Sequence, residues 1–131
     1  MKYLPPFDVI KRSVDLSTTK GKLIATASYE NLIQMIRLLL STIDVDEGWY
    51  LALYPDVAEA IAQGNITSAK QHFIDNGYFE GRIPSPITVD EKWYLKEYPD
   101  VAESIKKGFE PSAQTHFVRE GYKEGRLPFA L

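Results

Sequence analysis

Apolar residues recur at helical spacing along most of this chain, and from residue 45 onward the pattern is written twice. Residues 45–84 and 89–128 align without a gap at an offset of 44, with 24 of the 40 paired positions identical. A period of this length marks a helical repeat, in which one supersecondary unit cannot bury its apolar face alone and stacks on a neighbour. The expected fold is mainly α: two tandem three-helix repeats of about 44 residues, preceded by an N-terminal segment with a short β-hairpin and one apolar helix. The expected division is 1–44, 45–88 and 89–131, together one compact domain.

Each repeat predicts three short helices. Asp44 with Glu47, and Thr88 with Glu91, have the spacing of a capping box, which starts the first helix. Pro55 and Pro99 end it, because proline disfavours helical geometry in the residue before it. Asp56 and Asp100 are expected to cap the second helix, with Glu59 and Glu103 three residues on and Gly64 and Gly108 as stops. Ser68 and Ser112 cap the third, whose core face is Ala69, His72 and Phe73, or Ala113, His116 and Phe117. Gly77 and Gly121 are expected to adopt a left-handed C-terminal cap, with Tyr78 and Tyr122 folding back on the helix. The expected core is thus Trp49, Tyr54, His72 and Phe73, and again Trp93, Tyr98, His116 and Phe117.

Differences between the copies point to a surface. Copy one has Ala52, Leu53, Ile66 and Phe79 where copy two has Lys96, Glu97, Glu110 and Lys123. Repeat arrays need a polar outer face on a terminal unit, so copy two is expected to face water and copy one to be covered. Residues 29–43 carry a stripe of Leu32, Ile36, Leu39, Leu40 and Ile43, with Ile33, Met35 and Leu38 elsewhere on the cylinder and Ser28 as cap. A helix apolar on most sides is expected to be buried on most sides. It either caps repeat 1 or pairs with the same helix of a second chain. Two repeats fall short of the roughly three such arrays need, which favours a homodimer. The candidate interface is Leu32, Met35, Ile36, Leu39, Leu53, Ile66 and Phe79. Residues 14–27 read as a hairpin around Thr18, Thr19, Lys20 and Gly21.

Composition narrows the classes of function. The net charge of −3 supplies no long-range field for nucleic acid or anionic lipid. It is unevenly spread: residues 1–44 carry six Lys or Arg against four Asp or Glu, and residues 45–88 two against six. Opposite signs favour docking, within a chain or between chains, although exposed pairs contribute little each. Cysteine is absent, which removes disulfides and thiolate sites. The start Met1-Lys2-Tyr3-Leu4-Pro5-Pro6 lacks the apolar run of a signal peptide, so a cytoplasmic address is expected. The helix over 29–43 is too short to cross a bilayer and contains Gln34 and Arg37.

The string Trp-Tyr-Leu, Tyr-Pro-Asp-Val-Ala, His-Phe, Gly-Tyr, Glu-Gly-Arg, present from Trp49 to Arg82 and from Trp93 to Arg126, resembles a small repeat of many bacterial proteins. That repeat often stands beside glycosyltransferase domains of surface-polysaccharide synthesis, and sometimes in large secreted calcium-binding-repeat proteins. The resemblance covers residues 45–128 and implies an accessory module, with no established functional residues to carry over. No transferase domain accompanies the repeats in this sequence, which implies an adaptor that binds a separate enzyme, or an unrelated reuse of the unit.

Candidate chemistry is sparse. His72 and His116 occupy equivalent places on separate repeats, without a second histidine at helical spacing, and read as packed imidazoles rather than ligands. Asp46 with Glu47 and Asp90 with Glu91 lie in first helical turns, where carboxylates cap amides and complement the dipole. No activated serine turn or phosphate-binding loop is present. Arg82 and Arg126 are expected to reach back to Asp56 and Asp100 or to a helix carboxyl end, with an anion contact as the alternative. Trp49, Tyr50, Tyr54, Tyr78 and their partners either build the core or form a glycan platform. On the core reading Trp49→Ala costs about 3 to 5 kcal/mol. The expected function is therefore a non-catalytic, cofactor-free assembly module whose partner is a protein or a second copy. A glycan-binding accessory to polysaccharide synthesis is the alternative.

Overall fold

The computed structural model describes residues 3–131. The chain is mainly helical, with one two-stranded antiparallel sheet near the N-terminus. It divides at Asp44/Val45 into two compact units, where the sequence pattern predicts one compact domain. The boundary falls where the first repeat begins.

In the first unit α1 (Phe7–Lys11) precedes a hairpin of β1 (Asp15–Thr19) and β2 (Lys22–Thr26). The register pairs Leu16 with Ala25 and Thr18 with Leu23. Lys20 and Gly21 both have positive φ, 50° and 75°, which is the two-residue turn that matches strand twist. α1 has no sequence signal beyond Pro6, whose fixed φ suits the position before a first turn. α2 (Tyr29–Leu40) is capped by Ser28, which accepts the Asn31 N–H at 3.1 Å. It stops at Leu40, short of residue 43, because the hydroxyls of Ser41 and Thr42 turn back to the Leu38 and Leu39 carbonyls at 2.6 and 2.7 Å. The expectation of burial on most sides is not met: Leu40 is buried, but Leu32 and Leu38 are each 39% exposed. A unit ending at Asp44 has too little chain to surround a helix of 12 residues.

The second unit holds the two repeats. The first is α3 (Glu47–Leu53), α4 (Pro55–Ala62) and α5 (Ala69–His72), with α5 running on into a π turn, Phe73–Gly77. The second is α6 (Glu91–Glu97), α7 (Pro99–Lys106) and α8 (Ala113–His116), with its π turn Phe117–Gly121. Ser68 and Ser112 cap α5 and α8 as predicted, accepting from the Gln71 and Thr115 amides. Gly64 and Gly108 follow α4 and α7 with φ of 77° and 78°.

Three expected caps are corrected. Asp46 and Asp90, not Asp44 and Thr88, cap α3 and α6 by accepting the Trp49 and Trp93 amides at 3.0 Å. Glu47 instead accepts the Ala69 N–H of α5 at 2.7 Å, a tertiary bond in place of a capping box. Asp56 and Asp100 are not caps, because Pro55 and Pro99 already occupy the first helical position, where the missing N–H costs nothing.

Gly77 and Gly121 are not left-handed; the positive φ belongs to Gly81 and Gly125, at 78° each. Gly77 is required by space. A β-carbon there would collide with the Tyr50 hydroxyl, and one at Gly121 with that of Tyr94.

Each repeat is stitched from start to finish. The Asp46 N–H donates to the Pro84 carbonyl at 3.0 Å and that of Asp90 to Pro128 at 2.9 Å. Tyr54 and Tyr98 hydroxyls accept the Ile83 and Leu127 amides at 3.0 and 2.8 Å. Tyr50, Val57, Ala69 and Phe73 are buried in repeat 1, and Tyr94, Val101, Ala113 and Phe117 in repeat 2. Ile83 and Val89 join the second set, and Trp49 packs against that cluster, so the core runs through the junction of the repeats.

Candidate interaction surfaces

The centre of each repeat is a phenol and an imidazole. Tyr50 Oη lies 2.9 Å from His72 Nδ1, and Tyr94 Oη lies 2.8 Å from His116 Nδ1. Burial holds the His72 imidazole below its ordinary value, so it is neutral in the fold, and one of the pair donates while the other accepts. Burial also raises Tyr50 and pushes Tyr94 up to about 12. Both imidazoles are buried and hydrogen bonded, as structural groups are. Tyr50 and Tyr94 are fully buried, whereas Trp49, Tyr54, Trp93 and Tyr98, four of the expected core residues, are half-buried. One residue turns a side chain about 100° around a helix, which is enough to exchange Trp49 for Tyr50. The loss of about 3 to 5 kcal/mol for a deleted buried ring therefore belongs to Tyr50 and Phe73 rather than to Trp49.

Arg82 makes the fork predicted for it. Its guanidinium donates to both Asp56 carboxylate oxygens at 2.9 and 2.7 Å and to Glu80 at 2.8 Å, and lies over the Tyr54 ring at 4.8 Å. Arg126 repeats this with Asp100, Glu124 and Tyr98. The hydrogen bonds from each arginine hold the Asp56 and Asp100 carboxyls below the usual carboxylate range. With these donors engaged, the arginines lock the end of each repeat onto its second helix.

Between the repeats lies an open cleft of about 500 Å³. Leu53, Tyr54, Asp56 and Glu80 line it from repeat 1, and Val118, Arg119 and Lys123 from repeat 2. The Lys123 stem rests over Gly81, its Cγ 2.7 Å from where a β-carbon would stand. Neither Gly81 nor Lys123 stands out in the sequence as a contact, because they meet only when the repeats stack.

The candidate interface residues fall in separate places. Leu53 lines the cleft and is 39% exposed; Phe79, also 39% exposed, lies beside Tyr78 on a shallow groove shared with Tyr122 and Lys123. Ile66 is half-buried. In α2 Leu32 is exposed and Met35, Ile36 and Leu39 are half-buried. A second apolar groove, of about 410 Å³, runs between α1 and the hairpin, where Phe7 and Leu23 are 74% and 70% exposed.

The polar outer face expected of repeat 2 needs one correction. Lys96, Glu97 and Lys123 are exposed, but Glu110 is buried at 7% exposure, while its counterpart Ile66 is only half-buried. Arg119 Nη1 lies 3.5 Å from Glu110 Oε1, an ion pair that leaves this buried oxygen without a hydrogen bond. Repeat 1 has Asp75 at the equivalent of Arg119, so the charge pair arises by two linked exchanges, Ile66 to Glu110 and Asp75 to Arg119. That paired exchange is a signal the sequence carries.

Among the described residues no three His, Asp or Glu side chains gather as metal ligands, and no helix is long and apolar enough to cross a membrane. Compared with family models, with curated proteins and with solved structures, the chain matches none.

Proposed function

We propose that this chain is a non-catalytic assembly module, an accessory or adaptor subunit that acts through apolar surface on α2 and repeat 1. The observation that carries the reading is the state of α2: a helix with apolar residues around most of its circumference buries only Leu40 and leaves Leu32 and Leu38 exposed. Surface of that kind is costly to leave in water and marks a protein contact. On repeat 1, separately, Leu53 and Phe79 are each 39% exposed.

The measurement is molar mass in solution for the unaltered chain and for Leu39→Glu. A homodimer through α2 gives a mass that doubles with concentration and falls to that of one chain in the variant. One-chain mass in both removes the homodimer and leaves a different protein as the partner. The resemblance to modules beside polysaccharide glycosyltransferases favours an enzyme of that class as the partner. A glycan ligand is the second reading, and the cleft beside Tyr54 is its seat. Titration with oligosaccharides that leaves the Tyr and Trp resonances unmoved ends it.

A further inference from the structure

The hairpin of the first unit is a sheet of two strands with an unpaired edge on each. Every residue of β1 and β2 is exposed, and among the described residues neither strand pairs with a third. An isolated two-stranded hairpin is marginal in water, and an unprotected edge is a template for another strand. The register fixes what each edge offers. The two-residue turn at Lys20 and Gly21 makes Thr19 and Lys22 a hydrogen-bonded pair, and such pairs alternate along the ladder. Leu23 and Ala25 therefore point their backbone N–H and C=O groups away from β1. The β2 edge carries no proline, and its one charge is Lys22 at the end.

Two copies of β2 laid antiparallel about a two-fold axis through Ile24 use all of these groups. Leu23 and the partner's Ala25 then exchange both hydrogen bonds, and Ala25 does the same with the partner's Leu23. The side chains match on both faces. On the α1 face Leu16, Ala25 and the partner's Leu23 form one row, which continues the apolar groove between α1 and the hairpin. On the other face Ile24 meets the partner's Ile24, and Lys22 faces the partner's Asp15 across the partner's Thr26. Within one hairpin Lys22 and Asp15 stand at opposite ends of the ladder, against Thr19 and Thr26, so this charge match arises only between copies. The β1 edge fits its own copy less well, because it sets Leu16 against Thr18 and Ser17 against Ser17.

We infer that β2 pairs edge to edge with β2 of a second copy, giving one continuous four-stranded antiparallel sheet. This goes beyond the reading of α2 as an interface and does not depend on it, because it uses a different surface.

The chain has no cysteine, so a single introduced thiol reports one contact. All variants are made in the Leu39→Glu background, which separates this pairing from one through α2, and disulfide-linked dimer is followed by molar mass without reductant. Ile24→Cys places two thiols at the axis in a non-hydrogen-bonded pair, whose Cα spacing of about 4.5 Å a disulfide can span, and is expected to cross-link. Ser17→Cys, on β1, is expected to stay a single chain. Ala25→Pro added to Ile24→Cys removes an outward N–H and leaves the hairpin's own ladder intact. It should slow cross-linking by about tenfold or more, because two hydrogen bonds are lost per dimer. Lys22→Asp should slow it less, and Asp15→Lys added to Lys22→Asp should restore the rate. A single-chain product from Ile24→Cys at high protein concentration overturns the pairing, as does cross-linking of Ser17→Cys at an equal rate or a rate indifferent to Ala25→Pro. Failure of Asp15→Lys to restore the rate overturns the register. Association that survives Leu39→Glu and is lost on adding Ala25→Pro supports β2 and counts against α2, so the two readings fail separately.

Discussion

Ile83 closes repeat 1 with no exposed surface, whereas Leu127, at the same place in repeat 2, is 38% exposed. Both have an amide held by a tyrosine hydroxyl, and both follow an arginine forked onto an aspartate. The backbone bond that closes each repeat is likewise shared. What separates them is the neighbour: repeat 1 has repeat 2 stacked on it, and repeat 2 presents the same face to water. The comparison teaches that internal closure and stacking are independent layers. The first is satisfied within each repeat by Tyr50 with His72, or Tyr94 with His116; the second is satisfied once.

Substitutions at matched positions can break or sharpen this comparison. The largest expected contrast is Ile83→Ala against Leu127→Ala: about 2 to 5 kcal/mol for the buried residue and under about 1 kcal/mol for the exposed one, read by denaturant unfolding. Equal losses would mean that repeat 2 is covered after all. Next comes Gly77→Ala, expected to cost about 1 to 3 kcal/mol through its collision with the Tyr50 hydroxyl. Adding Tyr50→Phe removes the colliding atom, so the double variant should be more stable than the sum of the two single losses. A strictly additive pair would return Gly77 to a conformational role.

A smaller effect has the opposite sign. Glu110→Ile places in repeat 2 the residue that repeat 1 uses, and relieves a buried carboxylate. Arg119, largely exposed, stays hydrated. Stability should rise by about 1 kcal/mol, and a loss would show that the ion pair stabilises more than it costs.

The smallest effects come from pH. His72 sits below its unfolded value of 6.5, so the unfolded chain takes up the proton first and stability falls as pH drops through and below that value. Asp56 and Asp100 lie below 3.8, so their contribution is full above it and is lost as pH falls further, through their folded values. Thermal melts should therefore show two separate declines, and His72→Gln should remove only the upper one.

Much of the fold is legible along the chain because its signals are local. Ser28, Ser68 and Ser112 cap helices within one turn, and Gly64 and Gly108 end them by backbone freedom alone. The hairpin turn at Lys20-Gly21 is likewise a matter of adjacent residues. Legibility fails where two local signals compete: Asp44 and Asp46 both satisfy a cap pattern, and Pro55 pre-empts the cap expected of Asp56. It also fails for Gly77, where a glycine after a helix reads as a left-handed cap although its purpose is to admit a hydroxyl from α3.

For the interaction surfaces less was readable. The exposed pair Leu53 and Phe79 follows from comparing copy one with copy two and Leu32 from the apolar stripe of α2, but the contact of Lys123 with Gly81 acquires meaning only once the repeats stack. Glu110 shows the limit well, since a charged residue in a terminal repeat reads as surface until Arg119 is found beside it.

The amino-acid order by itself determined the repeat, its length, the serine caps of α5 and α8 and the arginine forks, because each depends on a spacing that recurs unchanged in both copies. The tertiary structure alone decided that Tyr50 rather than Trp49 fills the centre, that Gly77 is a matter of space, and that Lys123 of repeat 2 seats over Gly81 of repeat 1. Those outcomes depend on groups meeting across 22 residues, as Tyr50 and His72 do, or across the junction of two repeats. Which atoms compete for one volume at such distances is set by packing rather than by any pattern of neighbours along the chain.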